Sequence, residues 1–168
     1  MAALIYPRLA AIGRGLIGSS VIRAARAAGA VETVAVADAG ADARELIARL
    51  GYADLVTADP AEAVKNADLV IFATPPLAIG PAALASIPGL KPGATVSDVG
   101  SVKGAIVEAF KALPDTVFAI PGHPIAGTEQ SGPEAGFAEL FQNRWTILTP
   151  DAARKDAPKW VLHDGPPF

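Results

Sequence analysis

The sequence has no cysteine among its 168 residues, and this absence excludes a disulfide framework and a thiolate metal site. It has only two histidines, His123 and His163, so a histidine-rich metal site is excluded as well. We therefore expect no bound metal. A chain without cysteine is compatible with the reducing cytoplasm, which is the location that we predict.

Long hydrophobic runs and clusters of positive charge are also missing. Although 51% of the residues are hydrophobic, the longest runs, such as residues 69–73, are far shorter than a membrane-spanning helix requires. No basic residue precedes the first apolar residues, so we predict no signal peptide. The net charge is −3 and no basic stripe is visible, so neither nucleic acid nor a membrane is expected as a partner.

A glycine-rich turn, GRGLIG at residues 13–18, lies between an apolar run at 9–12 and an apolar-periodic segment that reaches Ala28. A strand, a glycine turn and a helix in this order are typical of a dinucleotide-binding site. Gly13 allows the tight turn, Gly15 lets the backbone approach a pyrophosphate, and Gly18 lets the helix pack closely on the strand. The pyrophosphate would lie at the helix N-terminus, near Leu16 and Ile17.

Asp38 lies 20 residues after Gly18, at the end of a second apolar run. A carboxylate at this position accepts hydrogen bonds from the adenosine ribose of NAD and repels the 2′-phosphate of NADP. The sequence therefore favours NAD, although Arg44, one helical turn further on, could reach back towards a phosphate. The alternative is that Asp38 only caps the next helix.

Apolar segments of strand and helix length alternate along the chain, which predicts parallel βαβ units. The fold class expected is therefore α/β, a Rossmann-like, doubly wound and mainly parallel sheet in a single domain at residues 1–150. We predict strands at 8–12, 31–37, 54–57, 68–73, 94–98, 116–120 and 145–148. We predict helices from the glycine turn to 28, at 41–50, after Asp59 as N-cap, between 76 and 88, at 103–113 and near 133–141.

Ligands of such sheets bind at the carboxyl ends of the strands. Thr74 and Pro75 follow the fourth predicted strand, DVGSVK at 98–103 follows the fifth, and PGHP at 121–124 follows the sixth. His123 would thus lie in a loop at the catalytic edge, where imidazole could accept a proton from a substrate hydroxyl as a hydride leaves. A structural or merely exposed histidine is the alternative.

Three segments together resemble the signature blocks of the prephenate dehydrogenases, also called cyclohexadienyl or arogenate dehydrogenases. The blocks are GRGLIGSS at 13–20, DVGSVK at 98–103 and GHPIAGTEQSG at 122–132. The first block is generic, whereas the combination of the other two is specific. The resemblance covers about residues 8–150 and implies an NAD-dependent oxidative decarboxylation of prephenate or arogenate in tyrosine biosynthesis.

The resemblance also implies roles for single residues. His123 matches the family histidine that hydrogen-bonds the ring hydroxyl and helps to take up its proton. Ser101 matches the serine that contacts this hydroxyl and the nicotinamide, and Glu129 matches an acidic residue at the mouth of the substrate site. As alternatives, Ser101 could cap the following helix and Glu129 could be a solvated loop carboxylate. Lys103 and Arg144 are predicted to be surface charges, and Arg14 to point to solvent.

Family members continue into a helical second domain that forms the homodimer and grips the substrate carboxylates, and the sequence shows no such region. Residues 155–168, KDAPKWVLHDGPPF, resemble instead a short segment of isoleucyl-tRNA synthetases. We therefore predict an irregular tail at 151–168 that is foreign to the family, and assign His163 no catalytic role. A non-catalytic NAD-binding fragment and a different small dehydrogenase are the alternative functions.

Overall fold

The computed structural model describes residues 4–149, which form an α/β domain with a twisted sheet between two helical layers. Its strands are β1 Tyr6–Ile12, β2 Val31–Ala37, β3 Leu55–Thr57, β4 Leu69–Phe72, β5 Thr95–Asp98, β6 Phe118–Ala119, β7 Gly122–Pro124 and β8 Thr146–Leu148. Its α-helices are α1 Leu16–Ala27, α2 Ala41–Leu50, α3 Pro60–Ala63, α4 Pro76–Ser86 and α5 Lys103–Phe110, and single 3₁₀ turns lie at Ile87–Gly89 and Ala138–Phe141.

Six strands form one parallel sheet in the order β3-β2-β1-β4-β5-β6. The chain runs outward from β1 to β3, returns to the centre, and runs outward again from β4 to β6. The reversal leaves a crevice between the carboxyl ends of β1 and β4, which is the topological switch point of a doubly wound sheet. The predicted Rossmann-like fold class is therefore confirmed.

The two faces of the sheet bury separate apolar clusters because successive side chains of a strand point to opposite faces. On one face Phe72 packs edge to face on Phe110 of α5, with 6.0 Å between the ring centroids. On the other face Leu9 and Val34 pack with Ile22 of α1 and Ile47 of α2. The central strands are apolar on both faces, which is typical of a buried parallel sheet.

Most predicted boundaries agree with the structure because glycine and proline mark them. Asp59 accepts a hydrogen bond from the amide of Ala61 at 2.9 Å, and Pro60 is the first residue of α3. Gly51 ends α2 in the left-handed conformation, at φ 70°, where a side chain would be unfavourable. The predicted helix at 41–50 and the predicted strand at 31–37 match α2 and β2.

The predictions for the last third of the described chain were partly wrong. The helix expected near 133–141 is only the 3₁₀ turn at Ala138–Phe141, because Phe137 has an extended backbone and its amide donates to Ser20 Oγ of α1. The expected loop at His123 is strand β7, which pairs antiparallel with β8 in a separate two-stranded sheet. The predicted strand at 116–120 is reduced to β6.

Two further observations concern residues 4–149 only. None of the helices in this range is both long enough and apolar enough to cross a membrane. No group of three or more potential metal-ligating side chains is found there. The predicted tail at 151–168, with His163, lies outside the described residues.

Candidate functional site

The glycine turn lies at the switch point, in direct contact with the segment after β4. Gly13 has φ +94°, and a Cβ atom built on it would lie 2.7 Å from the carbonyl carbon of Ala73 and from the amide nitrogen of Thr74. A Cβ on Gly18 would lie 2.8 Å from Ala73 Cβ and 3.0 Å from the Gly13 oxygen. Both positions therefore require glycine.

The N-terminus of α1 faces this crevice and is suited to an anion. Gly15 is the N-cap residue, no side chain of the described chain caps the helix, and the first turn carries no acidic residue. The amides at Leu16, Ile17 and Gly18 precede the first helical hydrogen bond, and the helix dipole favours negative charge at this end. A pyrophosphate group fits such a site.

Thr74 supplies a second indication of a ligand at the switch point. Its Oγ1 atom is buried and has no hydrogen-bond partner within residues 4–149. A buried hydroxyl without a partner costs free energy, and a ligand in the crevice could supply the missing hydrogen bond. Pro75, which follows, is exposed and precedes α4 as its N-cap residue.

Asp38 lies at the end of β2, as predicted, and its two carboxylate oxygens have different partners. Oδ1 accepts a hydrogen bond from the amide of Gly40 at 2.9 Å, which supports the turn into α2. The N-cap residue of α2 is Gly40, so the alternative that Asp38 only caps this helix is wrong. Oδ2 lies 3.5 Å from Arg14 Nε, so the prediction that Arg14 points to solvent was also wrong.

Two more guanidinium groups, those of Arg44 and Arg23, lie in this region. Arg44 Nη1 donates to the carbonyl oxygens of Asp38 and Ala39, both at 2.8 Å, so this guanidinium is held at the turn. Burial raises the pKa of Tyr52, although the charges of Arg23 and Arg14 act in the opposite direction. The Arg23 guanidinium lies 5.1 Å from the centre of the Tyr52 ring, close enough for a cation–π contact. This end of the site thus combines one carboxylate with several guanidinium groups.

A second group of residues lies beyond β5, around the buried carboxylate of Asp98. Its side chain is 0% exposed, and it accepts hydrogen bonds from the amides of Gly100 at 2.7 Å and Gly122 at 3.1 Å. Gly100 directly precedes Ser101, and Gly122 directly precedes His123. One carboxylate therefore connects the two predicted catalytic segments.

Lys103 completes this group, and the prediction that it is a surface charge was wrong. Its side chain is only 18% exposed, its ammonium group pairs with Asp98 Oδ2, and it donates to the carbonyl oxygen of Gly122 at 2.5 Å. Arg144 is exposed, as predicted.

The three predicted catalytic side chains have different surroundings. Ser101 is exposed between β5 and α5, where Val102 is the N-cap residue, so the capping alternative for Ser101 was wrong. His123 is half-buried in β7, opposite Ile147 of β8. Glu129 is exposed, and its carboxylate makes no hydrogen bond or ion pair with residues 4–149.

The segment from Glu129 returns to the cofactor helix. Gly136 packs so tightly on Ser19 that an added Cβ would overlap the serine side chain, and the Phe137 amide donates to Ser20 Oγ at 3.1 Å. The first signature block thus contacts the segment at 136–137, which follows the third block, and the sequence analysis did not predict this contact.

The family model "Prephenate dehydrogenase, nucleotide-binding domain" matches residues 21–162, which is most of the chain. The chain belongs to the prephenate dehydrogenase family. The resemblance inferred from the three signature blocks is therefore confirmed.

Individual family members agree with this assignment. A cyclohexadienyl dehydrogenase of Zymomonas mobilis is 44% identical over 149 residues, which cover 88% of this chain and 50% of that protein. Among solved structures, a prephenate dehydrogenase of A. aeolicus in complex with hydroxyphenyl propionate and NAD+ has a TM-score of 0.80 and 29% identity, covering 93% of this chain and 54% of the other. The arogenate dehydrogenase of Synechocystis has the same score and identity, with 92% and 53% covered.

The chain thus spans about half the length of the family members that it matches. The residues that the family model matches, 21–162, contain strands β2 to β6 of the parallel sheet and the His123 segment.

Sequence reasoning missed three members of the site: Arg14 beside Asp38, the buried Asp98 carboxylate, and Lys103. For Asp98 and Lys103 a signal was present, because both belong to the DVGSVK block, and an acid that ends a buried strand needs a partner. For Arg14 no local signal existed, since its partner lies on another strand.

Proposed function

We propose that this chain is the NAD-binding part of an enzyme that oxidatively decarboxylates prephenate or arogenate, a step of tyrosine biosynthesis. The observation that carries the proposal is the shared location of two groups at the carboxyl edge of one sheet. The glycine turn with Thr74 occupies the switch point, and Asp98 connects Ser101 with His123 beyond the neighbouring strand β5. Cofactor and substrate would meet between them.

In this proposal the glycine turn and the N-terminus of α1 hold the pyrophosphate, and Asp38 holds the adenosine ribose. Thr74 and Pro75 border the path towards Ser101, which would touch the nicotinamide. NAD supplies a hydride acceptor. The residues present fit this cofactor because the crevice offers free helix amides, a hydroxyl without a partner and a carboxylate.

The chemistry then asks little more of the protein than alignment and one proton acceptor. Ser101 and His123 would hydrogen-bond the ring hydroxyl of the substrate. His123 would take the proton of this hydroxyl as the hydride departs from the ring carbon that bears it. Loss of carbon dioxide makes the ring aromatic, and the proton returns to the phenolic oxygen. Glu129 would stand at the mouth of the substrate site.

A titration with NAD, followed by an assay of NADH formation with prephenate and with arogenate, tests the proposal. We expect saturable NAD binding, and NADH formation with at least one substrate. NAD binding without turnover would favour the non-catalytic fragment, because the chain spans half of its relatives. No NAD binding would contradict both. Turnover only of an unrelated hydroxy acid would favour a different small dehydrogenase.

The choice between NAD and NADP is a separate prediction, tested by Asp38→Asn. The amide oxygen can still accept from the Gly40 amide, so the turn is preserved while the negative charge is lost. Without this charge the Arg14 guanidinium can face a 2′-phosphate. We expect the affinity ratio of NAD to NADP, measured by calorimetric titration, to fall by about tenfold or more, because a hydrogen bond to a charged group contributes about 1.5 kcal/mol or more.

Asp42→Asn is the matched control, since Asp42 is an exposed carboxylate in the first turn of α2. It should leave the ratio unchanged. An Asp38→Asn variant that keeps the original ratio would show that the carboxylate does not select the cofactor. A cytoplasmic location and a homodimer of the family type remain predictions.

A further inference from the structure

The proposed chemistry assigns no role to the ion pair of Asp98 and Lys103, yet the other hydrogen bonds of these two side chains all end on the candidate catalytic segments. Burying two charges costs several kcal/mol of desolvation for each, so an ion pair here is a poor way to gain stability. Its geometry therefore calls for another explanation.

The pair holds both backbone groups of Gly122. Asp98 Oδ1 accepts from the Gly122 amide at 3.1 Å, and Lys103 Nζ donates to the Gly122 carbonyl at 2.5 Å. A Cβ on this glycine would lie 3.0 Å from the Asp98 backbone oxygen and from Ser97 Oγ, so the backbone can approach only because no side chain is present. The peptide that leads into His123 is thus fixed on both sides.

The pair also holds the other catalytic segment. Asp98 Oδ2 accepts from the Gly100 amide at 2.7 Å and meets the Lys103 ammonium group at the same oxygen. A Cβ on Gly100 would lie 2.7 Å from Ile106 Cδ1, so the turn that carries Ser101 is equally tight. Since Lys103 is the first residue of α5, the ion pair connects this helix to both segments.

We propose that Lys103 and Asp98 are positioning residues that set the placement of His123 relative to Ser101. For its effect on turnover this inference rests on the proposed function. The ammonium group neutralises the buried carboxylate and fixes the Gly122 carbonyl, and the carboxylate fixes the Gly100 and Gly122 amides. Neither side chain needs to touch the substrate.

Lys103→Met tests the proposal, because it keeps the aliphatic length and removes the charge. His123 is observed directly through its ring resonances in the ¹H–¹⁵N spectrum of the histidine-labelled chain, assigned with His163→Gln, which removes the only other histidine. We expect the His123 resonances to shift or broaden. In any preparation that turns over substrate, kcat should fall by about 100-fold, as a displacement of about 1 Å can cause, while NAD affinity stays nearly unchanged.

Lys111→Met is the matched control, since Lys111 follows the end of α5 and forms a surface ion pair with Glu108 at 2.7 Å. It should leave the His123 resonances and kcat unchanged. If Lys103→Met fails to fold because the Asp98 charge is left unpaired, the double variant Asp98→Asn with Lys103→Met removes that charge, and the same shift of the His123 resonances is expected.

Two results would overturn the proposal. One is a folded variant, single or double, whose His123 resonances stay where they are in the wild-type chain. The other is an equal loss of NAD affinity and kcat, which would indicate general loosening of the domain. If the wild-type chain binds no NAD, the proposed function fails, but the His123 resonances of the ligand-free chain still test the positioning role.

Discussion

Replacing His123 by Asn should lower the rate of NADH formation by about 10²–10⁴-fold, the usual contribution of a positioned acid or base, and leave NAD affinity nearly unchanged. Asparagine is of similar size and can hydrogen-bond the ring hydroxyl, but it cannot take up a proton near neutral pH. The backbone of residue 123 pairs with Ile147 whatever its side chain is, so β7 should persist. The glycine turn follows β1, whereas His123 lies in β7 of the second sheet, which is why turnover and NAD affinity should respond separately.

The measurement is a steady-state assay with prephenate and arogenate beside an NAD titration. His163→Asn is the control, because it removes the only other histidine, to which no catalytic role is assigned. A parallel loss of turnover and NAD affinity in the His123→Asn variant would refute its assigned role, and full turnover would remove His123 from the mechanism.

Gly13→Ala should damage both the fold and cofactor binding. The methyl group would lie 2.7 Å from backbone atoms of Ala73 and Thr74, and the residue would have to hold φ at +94°. The backbone of residues 73 and 74 continues directly from the central strand β4 and cannot move aside, so overpacking and the left-handed backbone together should cost about 2–5 kcal/mol in the free energy of unfolding. If the displaced turn loses two charge-assisted hydrogen bonds to the pyrophosphate, at about 1.5 kcal/mol each, NAD affinity falls by about 100-fold.

Gly29→Ala separates backbone strain from crowding. Gly29 also has positive φ, +64°, but nothing lies within 4 Å of an added Cβ. This variant should lose only about 1–2 kcal/mol, the cost of a left-handed residue, and should bind NAD as the wild-type chain does. Urea unfolding and NAD titration of both variants check the prediction. Equal effects of the two substitutions on NAD affinity would show that Gly13 does not shape the cofactor site.

The parts of the fold that could be predicted from sequence are those whose signals are local. The helix α2 was predicted with both of its ends, and Gly51 marks the second of them. For α3 only the start was predicted, because Asp59 and Pro60 mark it. The apolar central strands were recognisable because a parallel sheet buries both faces. Even the crevice could be expected, since the glycine turn and Thr74 each follow a buried strand.

The parts that could not be predicted depend on contacts between distant segments. Strand β7 has three residues and exists because it pairs with β8, more than 20 residues later. Residues 133–137 do not form the predicted helix, because Gly136 packs on Ser19 of α1 and the Phe137 amide donates to Ser20. Neither partner can be read from a local pattern.

The partners of the long charged side chains in the site could not be predicted from sequence either. Lys103 and Arg14 looked like surface charges because most lysines and arginines are. Their actual partners, Asp98 and Asp38, become neighbours only after the strands have taken their order in the sheet. Glu129, in contrast, was placed by family resemblance alone, and its role stays a prediction.

The contact of Gly136 and Phe137 with Ser19 and Ser20 has a consequence for how members of this family can exchange parts. The Phe137 amide and the Ser20 hydroxyl are 117 positions apart in sequence, yet they form a direct hydrogen bond. A recombination crossover between α1 and His123 joins a cofactor helix from one parent to the histidine-bearing segment and its Gly136–Phe137 contact from another. Such a chimaera keeps this contact only if the first parent has small polar residues at 19 and 20 and the second parent has glycine at 136. The first signature block and the segment at 136–137 are therefore best regarded as one inherited unit.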